Sequence, residues 1–221
     1  MPSVVLSTLA LKGVLEKLQP AGYELRFDST QAILTRMSGG ERADVLILTA
    51  EAMRDLKAAG RVTQVSALGS SGVSLAVRKG APRPDIGSQA ALVKALESAH
   101  SVAHSRSGAS GIYFSEVLAR LGVKLKKRVI VEKGPVGLAI ARGEAELGAQ
   151  MTCELAPVAG IDIVGPLPAP LQSFTHFAAG VPAGSADAAG AAALIALLRS
   201  DAARAAMLAG GMQPAEKQNG G

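Results

Sequence analysis

The sequence contains a single cysteine, Cys153, which excludes a disulfide within the chain and a multi-cysteine metal centre. Tryptophan is absent and Phe and Tyr together make up 3 % of residues, so the core must be built from Ala, Val, Leu and Ile. The same scarcity leaves few rings on which bases could stack. Charged residues are only 19 % of the chain, with 23 Lys and Arg against 18 Asp and Glu, a net charge of +5. That charge is too thin for the clustered basic footprint of a nucleic-acid binder, and no nucleic-acid partner is expected. Low charge with 48 % hydrophobic residues also excludes a disordered chain. Apolar segments are interrupted by Gly, Pro or charge before they reach the roughly 18 residues of a membrane span, so no membrane insertion is expected.

Several catalytic and cofactor signatures are missing as well. There is no Gly-x-Ser-x-Gly elbow, no His-Glu-x-x-His and no Gly-Lys-Ser/Thr phosphate loop. The three histidines, His100, His104 and His176, are too scattered to define a metal site. Neither a metal nor another cofactor is expected. The chain opens with Met1-Pro2-Ser3 and passes directly into apolar Val4-Val5-Leu6, with no basic segment and apolar run of a secretory signal. The expectation is a cytoplasmic protein as the sequence is written, and a periplasmic one if a signal has been removed.

What is present is an alternation of short apolar strands with helix-length periodic segments, over 221 residues, enough for a sizeable α/β core. Strands are predicted at Val4–Ser7, Tyr23–Phe27, Ala43–Leu48, Val73–Val77, Ser101–His104, Val129–Val131, Leu147–Met151, Ile161–Val164 and Phe174–Val181. Ser29, Thr49 and Ser88 stand where helix caps are needed. The Ala-rich stretch 186–208 reads as one or two helices with a break near Ser200-Asp201, and 215–221 as a frayed tail. Two Pro-rich segments, Lys79–Pro84 and Pro166–Pro170, suggest crossings between two α/β lobes, with 1–78 and 173–221 forming the first and 79–172 the second.

One local pattern recurs: a strand ends, small or hydroxyl residues follow, and a helix begins. It occurs at Ser7-Thr8, Asp28-Ser29-Thr30, Thr49 and Ser105–Gly111, with Lys133-Gly134 as a variation. In open α/β sheets the ligand lies at the carboxyl ends of the strands, where helix N-termini present unpaired N–H groups to an anion. Any one such hydroxyl is most simply a helix cap, and the argument rests on the recurrence. The most distinctive stretch is Ser105-Arg106-Ser107-Gly108-Ala109-Ser110-Gly111, which offers hydroxyl donors, close backbone approach and a guanidinium able to grip a carboxylate. Gln150 ends a strand and suits either a ligand or a structural amide. His104 and Glu154 are weak acid/base candidates, with a structural histidine and a turn cap as the simpler readings.

At these residues the chain resembles the type II periplasmic-binding-protein superfamily, in its molybdate-binding branch of ABC-transporter substrate-binding proteins. The matching segments are Val5–Ala10, Phe27–Thr30, Gly40–Thr49, Ser105–Phe114, Gly143–Gln150 and Ile161–Pro168. The resemblance implies a two-lobed α/β fold with a double crossover and a cleft that closes on a small oxyanion or carboxylate. It places ligand contacts at Thr8, Ser29, Thr30, Ser110, Gly111, Lys133 and Gln150. Arg106 and Ser107 join them from the loop itself. It departs from the molybdate binders at Leu9, where they carry Ser, and at Met151, where they carry Tyr; with Arg106 and Gln150 this favours a carboxylate over molybdate. The function implied is solute binding, with an ABC permease as partner only if the protein is exported. The alternative is a cytoplasmic enzyme of the same fold, aconitate-isomerase-like, acting on a small di- or tricarboxylic acid through Arg106 and Lys133 as clamps and His104 or Glu154 as base. A stand-alone effector sensor is a third reading.

Overall fold

A computed structural model describes residues 2–216. In chain order it contains β1 (Ser3–Thr8), a 3-10 turn (Leu9–Leu11), α1 (Lys12–Leu18), β2 (Tyr23–Asp28), α2 (Thr30–Ser38), β3 (Val45–Thr49), α3 (Ala50–Ala58) and β4 (Val62–Arg78). Next come α4 (Gln89–Ser98), β5 (Val102–Ser105), α5 (Ala109–Leu121), β6 (Arg128–Val131), α6 (Val136–Ala141), β7 (Leu147–Met151) and α7 (Thr152–Leu155). The chain ends with β8 (Ile161–Pro166), β9 (Phe174–Pro182), α8 (Ala188–Leu198), α9 (Asp201–Ala209) and β10 (Gln213–Pro214).

Local chemistry sets many of these boundaries. The hydroxyls of Ser29, Thr49, Ser88 and Ser200 each accept the N–H three residues on, and Asp187 does the same for α8. Ser200 therefore separates α8 from α9 at the predicted break. Of the predicted tail, Ala215 is tied back to β4 through its N–H to Leu68 O, and residues 217–221 lie outside the described residues.

The described chain forms two compact units, one from residues 2–71 and 175–216 and the other from 72–174. In unit 1 the strand order is β2-β1-β3-β9-β4, with β10 also on β4. Strands β1, β2 and β3 are parallel, with Val5 opposite both Leu25 and Val45, and β9 runs antiparallel to β3. Leu6, Leu46 and Leu48 pack from this sheet against Ile33, Met53 and Leu56 of α2 and α3. In unit 2 the order is β4-β7-β5-β6, with β8 also on β4; β5 is parallel to β6 and β7. Side chains alternate across β4: Val73, Leu75 and Val77 join Leu92, Phe114 and Leu118, while Ala76 joins Val136, Ile140 and Leu155. The unit 2 sheet is thus covered by helices on both faces.

The largest difference from the sequence reading is β4. Only Val73–Val77 is predicted, but the strand runs 17 residues and carries the chain from one unit to the other between Ser71 and Gly72. The return falls between Phe174 and Thr175, at the start of β9. The segments Lys79–Pro84 and Pro166–Pro170, read as crossings, both lie within unit 2. Within the unpredicted half of this strand Gly69 is small because a Cβ there would lie 2.5 Å from Gln213 O of β10.

Candidate functional site

Each unit presents loops at the carboxyl ends of its parallel strands, and the predicted ligand residues fall there. In unit 1, Thr8 ends β1 in an extended conformation, and its side chain does not cap the following turn. The residue is 5 % exposed, and its Oγ1 is buried with no hydrogen-bond partner among the described residues. The neighbouring Ser7 hydroxyl donates to Thr8 O. Ser29 holds the N-terminus of α2. Thr30 Oγ1 accepts the Thr49 N–H at 3.2 Å, tying the start of α2 to the end of β3. Its own O–H remains able to donate.

In unit 2, β5 ends with His104 and Ser105. The first helical turn of α5 packs closely on this strand end: a Cβ at Gly111 would lie 2.0 Å from Ser105 O and 2.4 Å from Ser105 Oγ. Gly111 is therefore fixed by close packing on Ser105. Gly108 caps α5 without a side chain, so the leading amides are not answered by a capping group. Ser105 Oγ is buried and has no hydrogen-bond partner among the described residues. Ser110 is buried in the first turn of α5, and Ser107 is half-buried in the loop.

His104 is 2 % exposed and its ring meets Phe114 edge-on, with centroids 5.9 Å apart. Its Nδ1 lies 3.0 Å from Ser105 O. A carbonyl can only accept, so Nδ1 carries the proton and Nε2 is left as a buried acceptor with no partner among the described residues. Burial lowers the imidazole pKa; the Ser105 carbonyl raises it, and the positive charges of Arg128 and Arg106 lower it further. His104 is thus held neutral at pH 7.

The two predicted cationic clamps are both exposed. Arg106 is 62 % exposed and forms a bidentate pair with Glu132, with nitrogen–oxygen distances of 2.6–2.8 Å. The carboxylate it grips is thus supplied by the chain itself. Lys133 sits in the exposed turn between β6 and α6.

Gln150 is 1 % exposed and is structural at both ends of its amide. Its Oε1 accepts the Val136 N–H at 2.8 Å, and its side chain hydrogen-bonds the Glu154 carboxylate. Glu154, half-buried on α7, has its pKa pushed up to about 7 by burial, against the opposing pull of Gln150. Nearby, Thr152 Oγ1 meets Ser74 Oγ at 2.8 Å and donates to Gly72 O. Among the described residues no group of three or more His, Cys, Asp and Glu could hold a metal ion.

The sequence reading passed over Ser105 as an individual ligand donor and missed its Gly111 contact and the Glu132 partner of Arg106. Small residues three and six positions after Ser105 were the available signal. Nothing in the sequence pointed to Glu132, which is 26 residues away.

The fold is the two-lobed α/β architecture of the type II periplasmic binding proteins. A periplasmic molybdate-binding protein from Azotobacter vinelandii matches 97 % of this chain and all of its own, with a TM-score of 0.79 at 19 % identity. The sulfate-binding protein of Mycobacterium tuberculosis matches 98 % of this chain and 88 % of its own, with a TM-score of 0.74 at 14 % identity. Residues 16–213 match the bacterial extracellular solute-binding proteins, and the chain belongs to that family. An aconitate isomerase from a Pseudomonas species is 37 % identical over 97 % of this chain and 88 % of its own length. Among the described residues, no helix is long and apolar enough to cross a membrane.

Proposed function

We propose that this solute-binding protein takes a small oxyanion or carboxylate at the loops that follow its parallel strands. The observation that carries the reading is the pair of buried hydroxyls, Thr8 Oγ1 in unit 1 and Ser105 Oγ in unit 2, with no partner among the described residues. A buried hydroxyl without a partner costs about 1–3 kcal/mol, a cost recovered when a ligand accepts its hydrogen. Ser105 stands at the side-chain-free N-terminus of α5, where the helix dipole favours negative charge. Thr30, Ser29, Ser107, Ser110 and Gly111 are the further proposed contacts. Lys133 adds positive charge at the surface, Arg106 would have to leave Glu132 to reach a ligand, and Gln150 acts by holding the start of α6 in place.

Thermal unfolding against molybdate, sulfate, citrate and cis- and trans-aconitate tests this. A ligand at 100 times its Kd adds about 2.7 kcal/mol to stability. Ser105→Ala and Thr8→Val are expected to unfold at the wild-type temperature or above without ligand, and to lose most of the ligand-induced gain. No stabilisation by any of these anions would end the reading.

A second reading has its own support. The 37 % identity to an aconitate isomerase spans nearly the whole chain and favours a small unsaturated tricarboxylate as ligand, with isomerisation as the reaction. Appearance of cis-aconitate from trans-aconitate in the presence of the purified protein tests it directly. Export, and an ABC permease as partner, belong to the first reading alone; the cytoplasm suits the second.

A further inference from the structure

Parallel pairing of β5 with β6 sets Ser105 opposite Val131, and the Arg106 N–H donates to Val131 O at 3.1 Å. The register therefore carries Arg106 and Glu132 side by side past the ends of the two strands. Both belong to the segments that lead into α5 and α6, the kind of loop at which the ligand is proposed to sit. Their contact is a full fork. Arg106 Nε reaches the two Glu132 oxygens at 2.8 and 2.7 Å, and a terminal guanidinium nitrogen reaches Oε1 at 2.6 Å. The Arg106 hydrogen bonds hold the Glu132 carboxyl below its usual pKa, so it is charged at neutral pH. A guanidinium takes any carboxylate in this geometry, including one carried by a ligand.

Glu132 is also the one acidic residue in the segments 106–108 and 132–135 that follow β5 and β6. A fixed negative charge beside an anion site repels the ligand. Stability gives little reason for it, because the two side chains are 62 % and 63 % exposed and such pairs contribute little. The consequence of the pair falls instead on Arg106, the one guanidinium of these segments, which it keeps occupied.

We propose that Glu132 is a specificity-determining residue: it stands in for a ligand carboxylate on Arg106, and a small di- or tricarboxylate must displace it to be gripped there. The proposal rests on the first reading above, that an anion is taken at these loops, and adds what sets its selectivity. With Glu132 on Arg106, a compact oxyanion such as sulfate is received by hydroxyls and backbone amides alone. A polycarboxylate has a further carboxylate to offer, and it exchanges one carboxylate–guanidinium fork for another. That exchange gains little: the charge-assisted hydrogen bonds are the same in number, and the freed Glu132 is left as a like charge beside the ligand. Glu132 thus lowers the affinity for polycarboxylates more than for sulfate.

The test is calorimetric titration of trans-aconitate and of sulfate into wild type, Glu132→Gln, Arg106→Ala and the double variant, at about 0.15 M salt, where distant charges are screened. Glu132→Gln is expected to bind trans-aconitate about 3- to 5-fold tighter and to change its sulfate affinity by less than about twofold. In the Arg106→Ala background the same Glu132→Gln change should alter trans-aconitate affinity by less than about twofold, since no guanidinium is left to free.

An equal gain for both anions, or a gain that survives in the double variant, is the effect of one surface charge and overturns the proposal. Trans-aconitate binding that Glu132→Gln does not improve, or binding of sulfate alone by both proteins, also overturns it and leaves anion binding standing. Binding of neither anion by wild type or by Glu132→Gln removes the anion reading for these ligands, and the proposal with it.

Discussion

Two carboxylates, one in each unit, meet opposite fates. Asp44, between α2 and β3 in unit 1, is penalised by burial, but its Oδ2 accepts the Val4 N–H and its Oδ1 accepts from Ser185 Oγ and the Ala186 and Asp187 N–H groups. These four donors outweigh burial and hold its pKa below the usual aspartate value. Asp187 repeats the pattern: Ser3 Oγ and the Gly190 N–H donate to it, and its pKa is also lowered. Glu154 in unit 2 has Gln150 alone, burial wins, and its pKa rises to about 7. Heavier burial and a single donor together keep the Glu154 proton, whereas Asp44 and Asp187 are less deeply desolvated and have more donors. Asp44 and Asp187 knit the first strands of unit 1 to the start of α8, whereas Glu154 is left able to exchange a proton.

Close packing makes a similar contrast and gives the largest expected effect. Gly111→Ala in unit 2 drives a Cβ into backbone at 2.0 Å from Ser105 O. It should cost about 3 kcal/mol or more. Gly180→Ala in unit 1 meets Met53 Sδ at 2.5 Å, the end of a flexible side chain, although Val62 Cγ1 at 2.7 Å also has to give. A smaller loss is expected there. Thermal melts of the two variants check the ranking, and a larger loss for Gly180→Ala would reverse it.

Next in size is the pH dependence. The folded Glu154 pKa lies above its unfolded value of 4.5, so the folded state binds the extra proton. Its contribution is fully present below about pH 4.5 and is lost as pH rises through about 7, amounting to about 3 kcal/mol. Denaturant melts from pH 4.5 to 8 should show this decline in wild type and a flatter course in Glu154→Gln. Asp44 works in the other direction: its contribution is present above the ordinary aspartate range and is lost as pH falls through its lowered pKa.

Asp44→Asn should cost about 2 kcal/mol. Whichever way the amide is turned, its NH2 faces a donor where an oxygen accepted one. A melt at pH 7 measures the loss, and a neutral result would mean the donors find other partners. Smallest is Arg106→Ala. The Arg106–Glu132 pair is exposed on both sides, and the Tm should move by no more than about 2 °C. Carboxylate titration of the same variant is the sharper measurement. A large fall in affinity would restore the clamp expected from the sequence, and unchanged affinity would confine Arg106 to its surface pair.

Much of the fold is legible because its signals are local. Ser29, Thr49, Ser88 and Ser200 cap the helices they precede, since a hydroxyl reaches an N–H three residues away whatever the rest of the chain does. Apolar runs such as Val45–Leu48 are legible as strands because a strand covered on both faces is apolar at every position. The first half of β4 was hidden because Gly69 and Gly72 carry the same letter whether they turn a chain or admit a neighbour. Only the tertiary neighbours, β10 at Gly69 and the Gln172 side chain at Gly72, distinguish the two uses.

The site divides in the same way. The sequence by itself determined the strand ends, the hydroxyls and glycines that follow them, and the α/β class that brings helix N-termini to those ends. Tertiary structure decided which of those groups remain available. It closed Arg106 on Glu132, spent Gln150 on Val136 and Glu154, and left Thr8 and Ser105 buried with hydroxyls unanswered among the described residues. These outcomes depend on partners up to 26 residues away and on burial. A hydrogen bond or a desolvation cost is a property of the assembled surroundings, and no residue carries either alone.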